Sequence, residues 1–121
     1  MQNIVTLIVP SREKELSVVR LTTAGIASRF SMDWETMEDV KTAVYEACFA
    51  MTMQKWSFES LRLEFSLQDV FSVTVTGQGE KRETEGSVPK LSLCKAVLEA
   101  MIPSVSIEMG KDSILSIHLS R

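Results

Sequence analysis

Apolar and polar positions follow two different periods along this chain, and the switches between them mark its elements. Asn3 to Val9 is rich in β-formers and ends at Pro10, which predicts a first strand. Ser11 is placed to cap a following helix, with Glu13 and Glu15 where a helix N-terminus favours negative charge. Leu16, Val19, Thr23, Ile26, Ala27 and Phe30 then recur at helical spacing and form one face. Ser31 to Asp33 interrupts the pattern, and Asp33 is placed to cap a second helix. Its core stripe is Met37, Val40, Val44, Ala47, Cys48 and Met51, and it runs to about Lys55.

The period then shortens to two. Leu61, Leu63 and Phe65 alternate with polar residues, Gln68 and Asp69 turn the chain, and Phe71, Val73 and Val75 alternate in their turn. The two runs predict an antiparallel hairpin. Gly77 to Lys90 reads as a polar loop, and a third helix spans about Leu91 to Ile102, before Pro103. Val105, Ile107 and Met109, a turn at Gly110 to Asp112, and Leu115, Ile117 and Leu119 complete two more strands. The order strand, helix, helix, strand, strand, helix, strand, strand predicts a two-layer α/β (α+β) sandwich. In it a mostly antiparallel mixed sheet is covered on one face by three helices.

Composition narrows the classes of function. The 121 residues fit one domain, 1–121, and 45% hydrophobic with 24% charged residues suits a single solvated core. A net charge of −3 gives no general attraction to phosphates, so direct nucleic-acid binding is not expected, while a protein with a basic patch remains a fitting partner. No apolar run approaches the length of a membrane span, and Met1 to Val9 lacks the basic-then-apolar build of a leader, so a cytoplasmic protein is expected. Cys48 and Cys94 read as small buried hydrophobes, and with the lone His118 they have no zinc-site spacing. His118, between Ile117 and Leu119, is expected to face outward from its strand. No Ser-His-Asp set is expected around this lone histidine, and no paired-carboxylate arrangement stands out.

The stretch Val19-Arg20-Leu21-Thr22-Thr23-Ala24-Gly25-Ile26-Ala27-Ser28-Arg29 resembles the first helix of the anti-sigma-factor serine kinases, and the resemblance continues through Met37-Glu38-Asp39-Val40-Lys41-Thr42-Ala43-Val44-Tyr45-Glu46-Ala47-Cys48. It is closest over residues 16–56, continues over 58–79, and beyond that is one of topology. That family belongs to the histidine-kinase-like ATPase superfamily (GHKL), so the resemblance implies its two-layer fold. It also implies ATP and magnesium as cofactors, held by three motifs, each of which departs from the family pattern here. The Glu-x-x-x-Asn of the second helix, with its base and its magnesium-binding amide, matches Glu46 and Ala50. Two positions four apart share a helix face, but a methyl group offers no lone pair to a hard cation. The adenine-reading Asp-x-Gly motif matches Thr76-Gly77-Gln78-Gly79-Glu80, with Gly77 in place of the acid and Gly79 retained. The glycine-rich start of the third helix matches Pro89-Lys90-Leu91-Ser92-Leu93-Cys94-Lys95, which has no glycine, and residues 80–90 are short for an ATP lid. No ATP or magnesium is therefore expected, and Glu46, Ala50, Gly77 and Gly79 are expected to mark a vestigial pocket with Glu46 as a relic base.

Tyr45, Phe49 and Met53 add a second apolar strip to the same helix, followed by Trp56. They fit side chains occupying the old nucleotide space, a partner or dimer surface, or a wide core face. In relatives the first helix lies toward the subunit interface and contributes to sigma-factor docking. The resemblance so points to Arg20, with Arg29 on the same segment, as partner-binding, and to a sigma factor or a STAS-type antagonist as partner. The exposed side of that helix at Val18, Thr22 and Gly25 is small and apolar, which suits partner binding and the close contact of a homodimer. Three functions stay open: a non-catalytic anti-sigma-like binding protein, a divergent ATP-dependent serine/threonine kinase, and a structural dimer subunit of a larger assembly.

Overall fold

The computed structural model describes residues 3–121, and Met1 and Gln2, part of the N-terminal segment read above, lie outside them. Strand β1 (Ile4–Pro10) is followed by a 3-10 turn (Glu13–Glu15) and helix α1 (Leu16–Ala27), then α2 (Trp34–Met53). The long strands β2 (Trp56–Ser66) and β3 (Ser72–Glu83) come next, then α3 (Leu91–Glu99), β4 (Ser104–Met109) and β5 (Ile114–Ser120). The five strands form one sheet in the order β1-β2-β3-β5-β4. Every strand pair is antiparallel, so the mixed sheet expected from sequence is antiparallel throughout. One isolated parallel bridge, Gln54 with Ser87, lies outside the named strands.

Register explains the two faces. The row Leu7, Leu63, Val75, Ile117 and Ile107 is paired straight across the sheet and faces the helices. The neighbouring row, Thr6, Glu64, Thr74, His118 and Ser106, is polar and faces away. His118 therefore points outward as its alternation predicts, and its Nδ1 lies 2.7 Å from the Thr74 hydroxyl.

On the covered face α2 is the central element. Asp33 caps it, accepting the Thr36 amide hydrogen at 2.8 Å, and this hydrogen bond holds the Asp33 carboxyl below its usual pKa. Val40, Ala43, Val44, Ala47, Cys48 and Met51 form the buried stripe, two of them small enough to let neighbouring elements approach closely. Burial pushes the Cys48 thiol up to about 12, so it stays protonated and packs as an apolar group. Helix α1 buries Leu16, Val19, Thr23, Ile26 and Ala27, and Thr23 satisfies its hydroxyl by donating to the Val19 carbonyl at 2.8 Å.

Several boundaries differ from the sequence reading. Ser11 caps no helix: its hydroxyl joins those of Thr52 and Ser57, because the chain first makes a 3-10 turn. Helix α2 ends at Met53 rather than near Lys55, where Gln54 turns extended and Trp56 opens β2. Helix α3 stops at Glu99, although Ile102 is still buried. In β5 it is Ile114, not Leu115, that is fully buried, because the register shifts opposite Glu108 and Met109.

The largest difference is at Gly77 to Glu83, which is not a loop but the far half of β3. Ladder hydrogen bonds need no apolar alternation, so a wet two-stranded ribbon is invisible to a hydrophobic period. The ribbon carries a bulge at which Gly79 and Glu80 oppose the single residue Glu59, and Gly79 takes the positive φ of 85° that this geometry favours in glycine. Gly77 has a separate role: a Cβ there would overlap the Phe58 ring.

At the end of α2 the wholly buried Gln54 side chain bridges to β5. Its Nε2 donates to the Ile114 carbonyl at 3.2 Å, and its Oε1 accepts the Ile114 amide hydrogen at 2.7 Å. Removing it leaves both backbone groups buried and unpaired, so Gln54→Ala is expected to cost about 2–3 kcal/mol, read as a lower urea midpoint at unchanged slope. Gly77→Ala is expected to cost about 1–3 kcal/mol in wild-type background and much less beside Phe58→Ala. Additive costs in that double-mutant cycle would show that the two residues do not compete for space.

Candidate functional site

Gln54 also determines where a cavity opens. Beyond the ribbon, Thr84 donates its amide hydrogen to the Lys55 carbonyl at 2.7 Å and its hydroxyl to the Gln54 carbonyl at 2.8 Å. The Lys55 amide donates to the Ser87 carbonyl at 2.9 Å, and Gly86 lies so close to the Met53 carbonyl that a Cβ would overlap it. These contacts make residues 84–90 a strap fastened across the end of α2. Between strap, α2 and α3 lies a cavity of about 380 Å³, within the size range of small-molecule sites.

Its walls are mostly apolar. Helix α2 contributes Phe49, Ala50 and Met53, α3 contributes Leu93, Val97 and Leu98, and Ile114 closes the floor from β5. Glu46 is the one acid in the lining and Lys90 the one cation. Glu46 and Ala50, predicted to share a helix face, do line this cavity one turn apart. Gly77 and Gly79 are on the ribbon and are not lining residues. Of the strip Tyr45, Phe49 and Met53, the last two form the wall rather than fill the space, and Tyr45 stacks on Phe49 with centroids 6.1 Å apart. Cys94 also lines the cavity, with its thiol pushed up by burial and, secondarily, by the Glu46 charge.

Of the strap and α3 lining, Pro89, Lys90, Leu93 and Cys94 fall in the segment matched to the family's phosphate motif, whereas Ser87, Val88, Val97 and Leu98 escaped the sequence reading. A signal for them existed: α3 holds Leu91, Leu93, Cys94, Val97 and Leu98, more apolar positions than one contact stripe uses, and only Leu98 is buried. Among the described residues no group of three or more His, Cys, Asp or Glu side chains is placed to hold a metal ion. No helix among them is long and apolar enough to cross a membrane.

The other candidate residues lie on α1 and its end. Val18 and Gly25 are exposed on its outer side, Thr22 is half-buried between them, and the exposed Leu21 extends the strip. Arg20 lies over the Tyr45 ring, its guanidinium carbon 5.8 Å from the centroid, which holds the side chain against α2. Arg12 and Lys14 border the same depression as Arg20 and Tyr45. Arg29 follows the helix end and lines a different cleft with Asp69 and Arg121.

No protein-family model matches the chain. Among curated proteins it is 35% identical over 78 residues to the serine-protein kinase RsbW of Halalkalibacterium halodurans, covering 63% of this chain and 48% of that protein. It is 32% identical over 76 residues to RsbW of Bacillus velezensis, covering 60% and 48%. The chain thus spans about half the length of the curated relatives it matches. Among solved structures, that of the RsbU and RsbW domains of Rv1364c from Mycobacterium tuberculosis superposes with a TM-score of 0.67 over 98% of this chain and 33% of its own, at 13% identity. At that identity the superposition speaks for the fold alone. The chain is thus similar, over part of its length, to serine-protein kinases named RsbW, and it shares a fold with part of the structure that holds the RsbU and RsbW domains.

Proposed function

We propose that this chain is a cytoplasmic regulatory binding protein of the anti-sigma-factor kind, which engages a protein partner without turning over ATP. The observation that supports this reading best is the wall around Glu46. One turn beyond the carboxylate stands the Ala50 methyl, where a magnesium ion would need oxygen. The remaining wall is largely hydrocarbon, and α3 begins at Lys90 without a glycine that would let backbone N–H groups close around phosphates. These residues do not fit a magnesium triphosphate.

The outer side of α1 supports the binding half of the reading. Val18, Leu21, Thr22 and Gly25 make a shallow strip of small and apolar groups, suited to close contact with another helix or with a second copy. Beside it Arg20, fixed on Tyr45, and the nearby Lys14 offer cations to an acidic surface, while Arg12 in the same depression is paired with Glu15 at 2.8 Å. A sigma factor is the first partner in this reading and a STAS-type antagonist the second, with the protein acting as a homodimer.

One observation favours a second reading, a divergent ATP-dependent serine kinase: Glu46, the residue matching the family base, does line the cavity. Transfer of labelled phosphate from ATP to a STAS-type antagonist, abolished by Glu46→Ala, would establish it.

For the leading reading, millimolar ATP with magnesium is expected to leave the melting temperature unchanged, and a concentration-dependent rise would overturn the loss of the nucleotide site. An added Cβ at Gly25 meets nothing within 4 Å, so Gly25→Arg is expected to leave the monomer fold intact. It should weaken self-association by tenfold or more in light scattering, together with co-purification of a general-stress sigma factor. Unchanged association and unchanged co-purification would remove α1 from the binding surface.

A further inference from the structure

The α2–α3 cavity has an electrostatic feature that the reading above leaves unused. Glu46 is half-buried in a mostly apolar wall that includes Phe49, Met53, Leu93 and Val97, and it makes no ion pair with any described residue. Water solvates such a carboxylate while the cavity is open. An apolar guest strips that water away, and the cost is offset only if the guest donates a charged hydrogen bond in return. Lys90 is the opposite charge in the lining, but it is exposed on the strap, where water and salt screen it. The inner charge therefore governs selection.

We propose that this cavity binds an apolar small molecule bearing one ammonium group, with the hydrocarbon between α2 and α3 and the ammonium paired to Glu46. The volume of about 380 Å³ accommodates a single aromatic ring with a short alkyl chain. Leu93 and Val88, 60% and 65% exposed at the mouth, supply further apolar surface for the guest to cover. Glu46 on α2 and Cys94 on the facing α3 both line this space. The inference rests on the reading that no triphosphate occupies this space.

The test uses three probes with one skeleton: 4-phenylbutylamine, 4-phenylbutanol and 4-phenylbutyrate, titrated into the full chain by calorimetry. Saturable one-to-one binding is expected, with the amine about tenfold tighter than the alcohol and the butyrate weakest. Glu46→Gln should bring amine and alcohol level without abolishing either. Ala50→Phe, which fills the wall from a half-buried position on α2, and Leu93→Asp, at the exposed mouth, should each weaken all three. Either variant serves if the other fails to fold. Absence of saturable binding, an order in which butyrate leads, or an amine preference that survives Glu46→Gln overturns the proposal. A melting-temperature rise with magnesium and ATP, in a protein that still prefers the amine through Glu46, would instead sink the functional reading and leave the amine site standing.

Discussion

The architecture around the cavity depends on how α2 ends. A buried glutamine amide is costly unless both its donor and acceptor are used, and Gln54 uses them on the amide and carbonyl of one residue, Ile114. The side chain thereby acts as an extra peptide unit beside β5. Its own backbone carbonyl accepts from the Thr84 hydroxyl, and the next residue, Lys55, exchanges hydrogen bonds with the strap. Helix, sheet and crossover segment are thus joined within a few ångströms, and the cavity is the space that this junction leaves between α2 and α3.

A fastened strap changes what such a fold can do. The ribbon of β2 and β3 absorbs residues up to Glu83 as strand, and Thr84 to Ser87 is bonded to the α2 terminus, so little chain remains between β3 and α3 to close over a ligand. The ribbon has its own requirement. Phe58 lies where a side chain on residue 77 would project, so glycine at that position is explained by packing within the ribbon. An acid there and the Phe58 ring in its present place are mutually exclusive.

Two surfaces result, and their chemistries differ. The outer side of α1 is shallow, with small residues and cations held in place, which suits another macromolecule. The cavity is concave and apolar with one inner charge, which suits a compact guest. They meet along α2: Tyr45 supports Arg20 on one side and stacks on Phe49, a wall residue of the cavity, on the other. A guest that moved Phe49 would press on the aromatic pair beneath Arg20.

The sequence by itself determined the element order, the antiparallel hairpin, the Asp33 cap and the buried stripes of α1 and α2. It did so because a half-buried helix or strand must repeat its apolar residues at its own period. It also placed Glu46 and Ala50 together, since residues four apart on a helix cannot face differently. Only the tertiary structure decided the rest. The ribbon beyond Gly77 is held by ladder bonds between polar residues, which leave no hydrophobic period to read. The strap and the register of Ile114 depend on bonds to Gln54, thirty or more residues distant along the chain, and no local pattern encodes a partner so remote. The same holds for the cavity wall: whether Leu93 and Val97 are core or lining depends on how near α3 packs to α2, and that distance is set by the junction at the end of α2.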